Sequence, residues 1–169
     1  KKQNLTMKSG VECEYFLISP NGDSIADPRD TQSKPCYDQS ALMRRYDLIK
    51  EICDCMIEMG WGPYQNDHED ANGQFEMNWD YSDCLKTADR HTFFKFMVKT
   101  IAEKHGLRAT FMPKPFGNLT GNGCHAHVSV WQGSKNKFLD NKDKLGLSKM
   151  AYNFLGGVIK NASSLSAFF

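Results

Sequence analysis

Several absences narrow the reading of this 169-residue sequence before any motif is considered. Charge of one sign is not in excess: 21 Lys and Arg stand against 20 Asp and Glu, a formal net charge of +1. Without a basic surplus, nothing electrostatic recommends nucleic acid or an anionic membrane surface as a partner. No apolar run reaches membrane-spanning length, and Lys1-Lys2-Gln3-Asn4 has no apolar segment behind it to make a secretory signal. The six cysteines include no C-x-x-C pair, so the usual zinc and redox spacings are missing. Cys53 and Cys55 fall in a helical pattern and Cys13 and Cys124 in strand patterns, which predicts buried free thiols in a reducing cytoplasm. Internal repeats, low-complexity tracts and linkers are lacking too. What remains is 40% hydrophobic and 24% charged, a mix that excludes disorder and suffices for a globular core.

Periodicity orders the chain. Val11 to Ile18 alternates apolar and acidic residues and runs into the turn signal Pro20-Asn21-Gly22, a strand followed by a loop over residues 23–35. Leu42, Tyr46, Ile49, Cys53, Met56 and Ile57 recur at helical spacing, which predicts one helix over 39–59 stopped by Gly60. Gln74 to Trp79 is the clearest part of a second strand region. Ser82 or Asp83 can cap a long helix through Leu85, Phe93, Phe96, Met97 and Ile101 that closes at His105-Gly106. Leu107 to Met112 predicts a third strand and Cys124 to Trp131 a fourth, separated by a Gly- and Asn-rich loop over 117–123. A final helical pattern holds Met150, Phe154, Leu155, Val158 and Ile159. The apolar ending Leu165-Ser166-Ala167-Phe168-Phe169, without cap or polar tail, predicts a piece of a larger chain.

Strand parity carries the chemistry. Glu12 and Glu14 are two apart, so they point to one side of their strand, roughly 7 Å apart along it. Gln74, Glu76 and Asn78 share a side by the same rule, as do His125, His127 and Ser129. The opposite faces are apolar: Val11, Cys13, Tyr15; Phe75, Met77, Trp79; Ala126, Val128, Val130. Helices between strands must cover those apolar faces, leaving the polar ones to share one concave side. Carboxylates and imidazoles gathered there repel and lose hydration unless a cation sits among them, and oxygen-rich ligands with a His favour Mg²⁺ or Mn²⁺ over zinc. An antiparallel sheet with its polar side in water would carry similar residues, and that reading stays open beside the metal one, with the repeat of the pattern on three strands counting for the metal. The loop over 117–123 is a weak phosphate signal by itself. Asp67-His68-Glu69-Asp70, taken alone, reads as a solvated loop, and Phe93, Phe94 and Phe96 as helix packing.

Gly10-Val11-Glu12-Cys13-Glu14-Tyr15-Phe16, then Asp67-His68-Glu69-Asp70-Ala71-Asn72-Gly73-Gln74-Phe75-Glu76, then Ala109-Thr110-Phe111-Met112-Pro113-Lys114-Pro115 running to Gly121-Asn122-Gly123-Cys124-His125-Ala126-His127, resemble the catalytic domain of glutamine synthetases in order and spacing. The middle motif is most similar to the type III, or rhizobial, branch, which includes γ-glutamylmethylamide synthetases. The resemblance implies an α+β fold: a curved antiparallel sheet with a polar inner face and helices outside. It implies that Glu14, Glu69 and Glu76 hold a first divalent ion, Mg²⁺ or Mn²⁺, with Glu69 counted among the catalytic residues. Glu12 and His125 would hold a second. Gly121 would offer backbone to the glutamate substrate, His127 and Ser129 would face ATP, and Tyr81 falls loosely where the family has an aromatic near adenine. Gln74 and Lys114 lie within the motifs without an implied role.

The resemblance further implies an ATP-dependent ligase of nitrogen metabolism, cytoplasmic and homo-oligomeric when whole. It would join glutamate to ammonia or methylamine through γ-glutamyl phosphate. Family members are more than twice as long. Residues 1–169 are therefore expected to be a single, incomplete catalytic domain, without the small N-terminal domain and the C-terminal part that carries further ligands and arginines, and inactive alone. A non-catalytic assembly relative would have lost metal-face residues, and none is lost here. A metal-dependent phosphohydrolase or guanidino kinase has a similar acidic face but not these motifs.

Overall fold

The computed structural model describes residues 4–168. Residues 1–3 and Phe169, which enter the leader and terminus readings above, lie outside the described residues. The chain divides into two compact units, one of residues 10–127 and one of residues 4–9 with 128–168.

The larger unit is built on β1 (Thr6–Ile18, from Gly10 onward), β2 (Pro63–His68), β3 (Gln74–Trp79), β5 (Arg108–Thr110) and the first half of β6 (Cys124–Gln132), with the short β4 (Ser82–Asp83). The strand order runs β2-β3-β1-β6, with β5 paired to β1. Antiparallel register sets Glu12 opposite Asn78, Glu14 opposite Glu76 and Asp67 opposite Glu76 from the other side. Parity then sends Cys13, Tyr15, Phe75, Met77 and Trp79 the other way. They meet Ile49, Ile52 and Met56 of one helix and Phe94, Val98 and Ile101 of another in a single buried cluster. Phe94 lies 4.9 Å from Trp79, tilted by 41°, and meets Tyr15 edge-on at 6.1 Å, aromatic pairs that add to their area burial.

The helices depart from expectation in instructive ways. The predicted single helix over 39–59 is two, α1 (Gln39–Met43) and α2 (Tyr46–Glu58). The break falls at Arg44-Arg45, because both guanidiniums turn back to the segment around Asp27: Arg44 pairs with its carboxylate, and Arg45 donates to the Ala26 carbonyl. Tyr46 and Ile57, counted in the apolar period, are exposed; Leu48 and Ile52 take their places in the core. Asp83 caps α3 (Cys84–Lys104) by accepting from Leu85 N–H. Of the three phenylalanines read as packing, only Phe94 is buried; Phe93 and Phe96 are exposed and contact each other at 6.0 Å.

Two further expectations need correction. All six residues of β3 are buried, so Gln74, Glu76 and Asn78 lie under other groups and not on an open polar face. Of the six cysteines only Cys13 is buried: Cys36 and Cys124 are exposed and the rest half-buried, with no disulfide among them. Solvent also reaches Ala126 on the supposedly covered side of β6. No helix among the described residues is long and apolar enough to cross a membrane.

Gly73 closes the β2–β3 hairpin with φ +75°, and a Cβ there would lie 2.9 Å from Ile25 Cβ. Gly73→Ala should therefore destabilise by about 1–3 kcal/mol, from left-handed backbone strain plus the clash. A urea midpoint unchanged from the parent would show that the hairpin relaxes freely.

In the smaller unit β6 continues to Gln132 and pairs with β7 (Lys135–Asn136). Ser148 caps α4 (Lys149–Lys160), which is followed by α5 (Ala162–Leu165). Phe154 packs on Phe138 at 5.3 Å, but only Ala151 of α4 is buried, and the predicted apolar face at Leu155, Val158 and Ile159 stays exposed.

Candidate metal centre

The acidic face assembles from four segments of the larger unit. β1 contributes Glu12 and Glu14, β3 contributes Glu76, and the β2–β3 hairpin contributes Asp67 and Glu69. One carboxylate oxygen from each of Asp67, Glu69 and Glu76 lies within 4.8 Å of the others. Glu14 is opposite Glu76 in register, and its charge acts on both Glu76 and Glu69. β6 brings the imidazoles: His125 Nδ1 stands 3.2 Å from one oxygen of Glu12 and His127 Nε2 2.8 Å from the other.

Burial and repulsion act together here. Desolvation, then the charges of Glu76 and Glu14, push the Glu69 carboxyl up to about 7. Glu76 is also raised, by desolvation first and by Glu12, Glu14 and Asp67, against a 2.9 Å hydrogen bond from Asn78. Half-buried like charges with so little internal compensation suit a cation, and an all-oxygen donor set suits a hard one. The residues therefore fit Mg²⁺ or Mn²⁺ at Asp67, Glu69 and Glu76, with Glu14 beside them. Glu12 and His125 form a second, adjoining set.

Gln74, which had no assigned role, ties this face together. Its Oε1 accepts from Ala71 N–H at 3.1 Å, which fixes the amide. Its Nε2 then reaches Glu14 at 2.9 Å and the Gly121 carbonyl and Asn122 at 3.0 Å each. Gly123 N–H donates to the same Glu14 oxygen at 2.9 Å. Glu14 is thereby held in place by neutral donors. Gly121 sits so close to its neighbours that a Cβ would fall 2.4 Å from the Pro113 carbonyl oxygen, so no side chain fits there. Lys114 donates to the Leu119 carbonyl and braces the same loop.

Tyr81 and His127 share a cavity of about 240 Å³ with Glu12, Tyr64, Trp79 and Asp80. Ser129 lies in the smaller unit, where its hydroxyl accepts from the Trp131 indole N–H at 2.8 Å. The structure thus brings together Glu12, Glu14, Glu69, Glu76, His125, His127 and Gly121, while Ser129 belongs to the other unit.

Sequence reasoning missed Asp67, Tyr64 and the buried pair Asp30–His68. For Asp67 the signal was present: it is two residues before Glu69, the same parity that flagged Glu12 and Glu14. Reading Asp67 to Asp70 as a solvated loop hid it, whereas His68 is fully buried and ends β2.

An antiparallel sheet with helices on one face and clustered carboxylates and imidazoles on the other defines an α+β protein whose polar face has the chemistry to hold hard divalent cations. The family description "Glutamine synthetase, catalytic domain" matches residues 1–169, and the chain belongs to that family. It is 67% identical over 168 residues to a glutamine synthetase of Rhizobium meliloti (strain 1021), covering 98% of this chain and 39% of that protein. It is 44% identical over 166 residues to a glutamate–methylamine ligase of Methyloversatilis universalis, covering 96% and 38% of the two chains. A solved structure of GmaS with ADP superposes with a TM-score of 0.96 at 66% identity, over 98% of this chain and 39% of that one, and has the same curled α+β sheet. The chain spans about two fifths of the length of the relatives it matches.

Proposed function

We propose that the whole protein is an ATP-dependent ligase that forms a γ-glutamyl amide from glutamate and ammonia or methylamine. The observation that carries the reading is the meeting of Asp67, Glu69 and Glu76 within 4.8 Å, beside a Glu14 pinned by Gln74 and Gly123. Glutamate's γ-carboxylate attacks the γ-phosphorus of ATP, the bond to the bridging oxygen breaks, and γ-glutamyl phosphate and ADP form. The amine then attacks the acyl carbon, phosphate leaves, and the amine gives up a proton. Bound divalent ions supply charge neutralisation for the phosphoryl group and for the carboxylate that receives it.

This chain's own groups prepare those events. Glu14, Glu69 and Glu76 would hold one divalent ion, which would serve glutamate and the amine, and Glu12 and His125 would hold a second, which would serve the phosphates. Gly121 presents its backbone to glutamate, His127 and Ser129 serve the nucleotide, and Tyr81 borders the adenine. The repulsion that raises Glu69 when the site is empty is what a bound cation relieves, so Glu69 serves as a ligand that ties the hairpin to the acidic face. Both amines stay open, because the relatives include a glutamine synthetase, 67% identical, and a glutamate–methylamine ligase, 44% identical. Cytoplasmic location and a homo-oligomeric assembly belong to the same proposal, as does the reading of residues 1–169 as part of one catalytic domain.

Phosphoryl transfer also needs positioned cations. Arg44 is committed to Asp27, Arg45 to the Ala26 carbonyl and Arg90 to the Gly60 carbonyl; Arg29 is exposed beside Asp27, and Arg108 lines a cavity with Lys99 and Glu103, none of them on the acidic face. Residues 1–169 alone should then bind Mn²⁺ without ligase turnover. The deciding experiment is coupled ADP release by the whole protein with Mg²⁺ and ATP, with and without glutamate, in parallel arms of ammonia and methylamine. ADP release that requires glutamate and one of the amines is expected, and the faster arm names the substrate. ADP release independent of glutamate would show a phosphohydrolase, and no release under any condition would favour an assembly role. Either outcome overturns the proposal.

A further inference from the structure

A second cluster of ligating side chains lies on the helix-covered side of the sheet, away from the acidic face. Cys13 of β1, Cys124 of β6 and His91 of α3 each bring one ligand atom, and all three atoms lie within 4.8 Å of one another. β1 and β6 are neighbours in the sheet, and Glu14 N–H donates to the carbonyl of Gly123, the residue just before β6, at 3.4 Å, which brings the adjacent residues Cys13 and Cys124 near each other. His91 reaches them from α3, the helix whose Phe94 and Val98 pack in the same core as Cys13.

We propose that Cys13, His91 and Cys124 form a binding site for one thiophilic divalent cation of the zinc class. Two sulfurs and an imidazole nitrogen, with no carboxylate among them, select soft or borderline ions over the hard ions suited to the acidic face. Around one tetrahedral ion, with metal–sulfur bonds of about 2.3 Å and metal–nitrogen bonds of about 2.0 Å, the ligand atoms stand roughly 3.5 Å apart. Rotamer adjustment of about 1 Å therefore closes the set. Cys13 is buried and Cys124 is exposed, so the ion has a path from solvent, and a fourth position stays open to water. His91 Nδ1 is buried and has no hydrogen-bond partner, so the ring is not fixed by a competing contact. By joining β1, β6 and α3, the ion binds the folded state in preference to the unfolded and stabilises it.

The test titrates Co²⁺ into the reduced chain in the presence of excess Mg²⁺, which occupies carboxylate sites and leaves thiolates free. The readout is the near-ultraviolet thiolate-to-cobalt charge-transfer band, absent from any complex made by carboxylates alone. The expected result is about one equivalent of Co²⁺ per chain, displaced by Zn²⁺. The band should vanish in Cys124→Ser and persist in Cys36→Ser, and His91→Ala should weaken affinity about tenfold or more. Cys124 is exposed, so its variant should fold, which far-ultraviolet circular dichroism checks. Absence of the band in the parent chain overturns the site. So does a band that survives Cys124→Ser and is lost in Cys36→Ser, or a His91→Ala variant of full affinity. Each of these results is independent of ligase activity.

Discussion

Glu76→Gln should abolish measurable Mn²⁺ binding at the Asp67–Glu69–Glu76 cluster while making the metal-free chain more stable, two changes of opposite sign from one substitution. Glu76 is buried, receives one compensating hydrogen bond from Asn78, and faces the charges of Glu12, Glu14 and Asp67. A Gln keeps the shape and can turn its carbonyl oxygen to Asn78. It removes the charge that costs hydration and that also presses on Glu69. If the relief is worth about 1 kcal/mol, the metal-free melting temperature rises by roughly 2–4 °C. The stabilisation that Mn²⁺ confers on the parent should disappear in the variant, because one of three converging carboxylates is gone. In the whole protein the same change should cut turnover severely, whereas Glu58→Ala, on the exposed face of α2, should leave both binding and turnover alone. Calorimetric Mn²⁺ titration and thermal melts with and without the ion read both halves. Equal losses from Glu76→Gln and Glu58→Ala, or undiminished Mn²⁺ affinity in Glu76→Gln, would remove the metal centre from this face.

That centre was legible in the sequence to the extent that it follows from period two. Alternation along β1, β3 and β6 forces Glu12, Glu14, Glu76, His125 and His127 to one side whatever the tertiary detail. The same rule put Cys13 with Tyr15, Phe75 and Met77 in the core, and the Asp83 cap and Gly106 stop bounded α3 correctly. What could not be read depends on contacts between distant segments. The break at Arg44-Arg45 is set by Asp27, seventeen residues earlier. Gln74 looks like any polar strand residue until its amide meets Gly121, Asn122 and Glu14 from segments about fifty residues away in each direction. The apolar spacing of α4 promised a buried face, but spacing records only which residues share a side of a helix and not what lies against it. Cys124 was misplaced for the same reason. Strand parity fixes its side of β6, yet burial depends on how much of that side a helix covers, and His91 of α3 reaches Cys124 while leaving the residue exposed.

The largest stability loss is expected from Asp30→Ala, at a position that no motif marked. Asp30 is 3% exposed and His68 is 0% exposed. One carboxylate oxygen of Asp30 lies 2.6 Å from His68 Nε2 and accepts from Gly73 N–H at 2.6 Å, and the other accepts from Asn72 Nδ2 at 3.0 Å. Three donors thus converge on one side chain, and all three belong to the segment that ends β2 and turns into β3. Removing the carboxylate leaves the His68 nitrogen and the Gly73 N–H buried without partners, a loss of about 3–5 kcal/mol. Asn72→Ala, which removes two partly solvated bonds, to Asp30 and to the Gln32 carbonyl, should cost about 1–2 kcal/mol. Asp30→Asn should fall between them, because an amide can present its oxygen to the donors at only one of the two positions. Glu69 sits in this hairpin, and Asp30 is the group that holds the hairpin against residues 27–32. Asp30→Ala should therefore also weaken Mn²⁺ binding under conditions where the variant is still folded. Urea denaturation followed by tryptophan fluorescence measures the first effect, and Mn²⁺ titration well below the transition measures the second. A variant that loses the full stability yet binds Mn²⁺ as the parent does would show that Glu69 is positioned by Glu76 and the bound ion and not by the Asp30 hub.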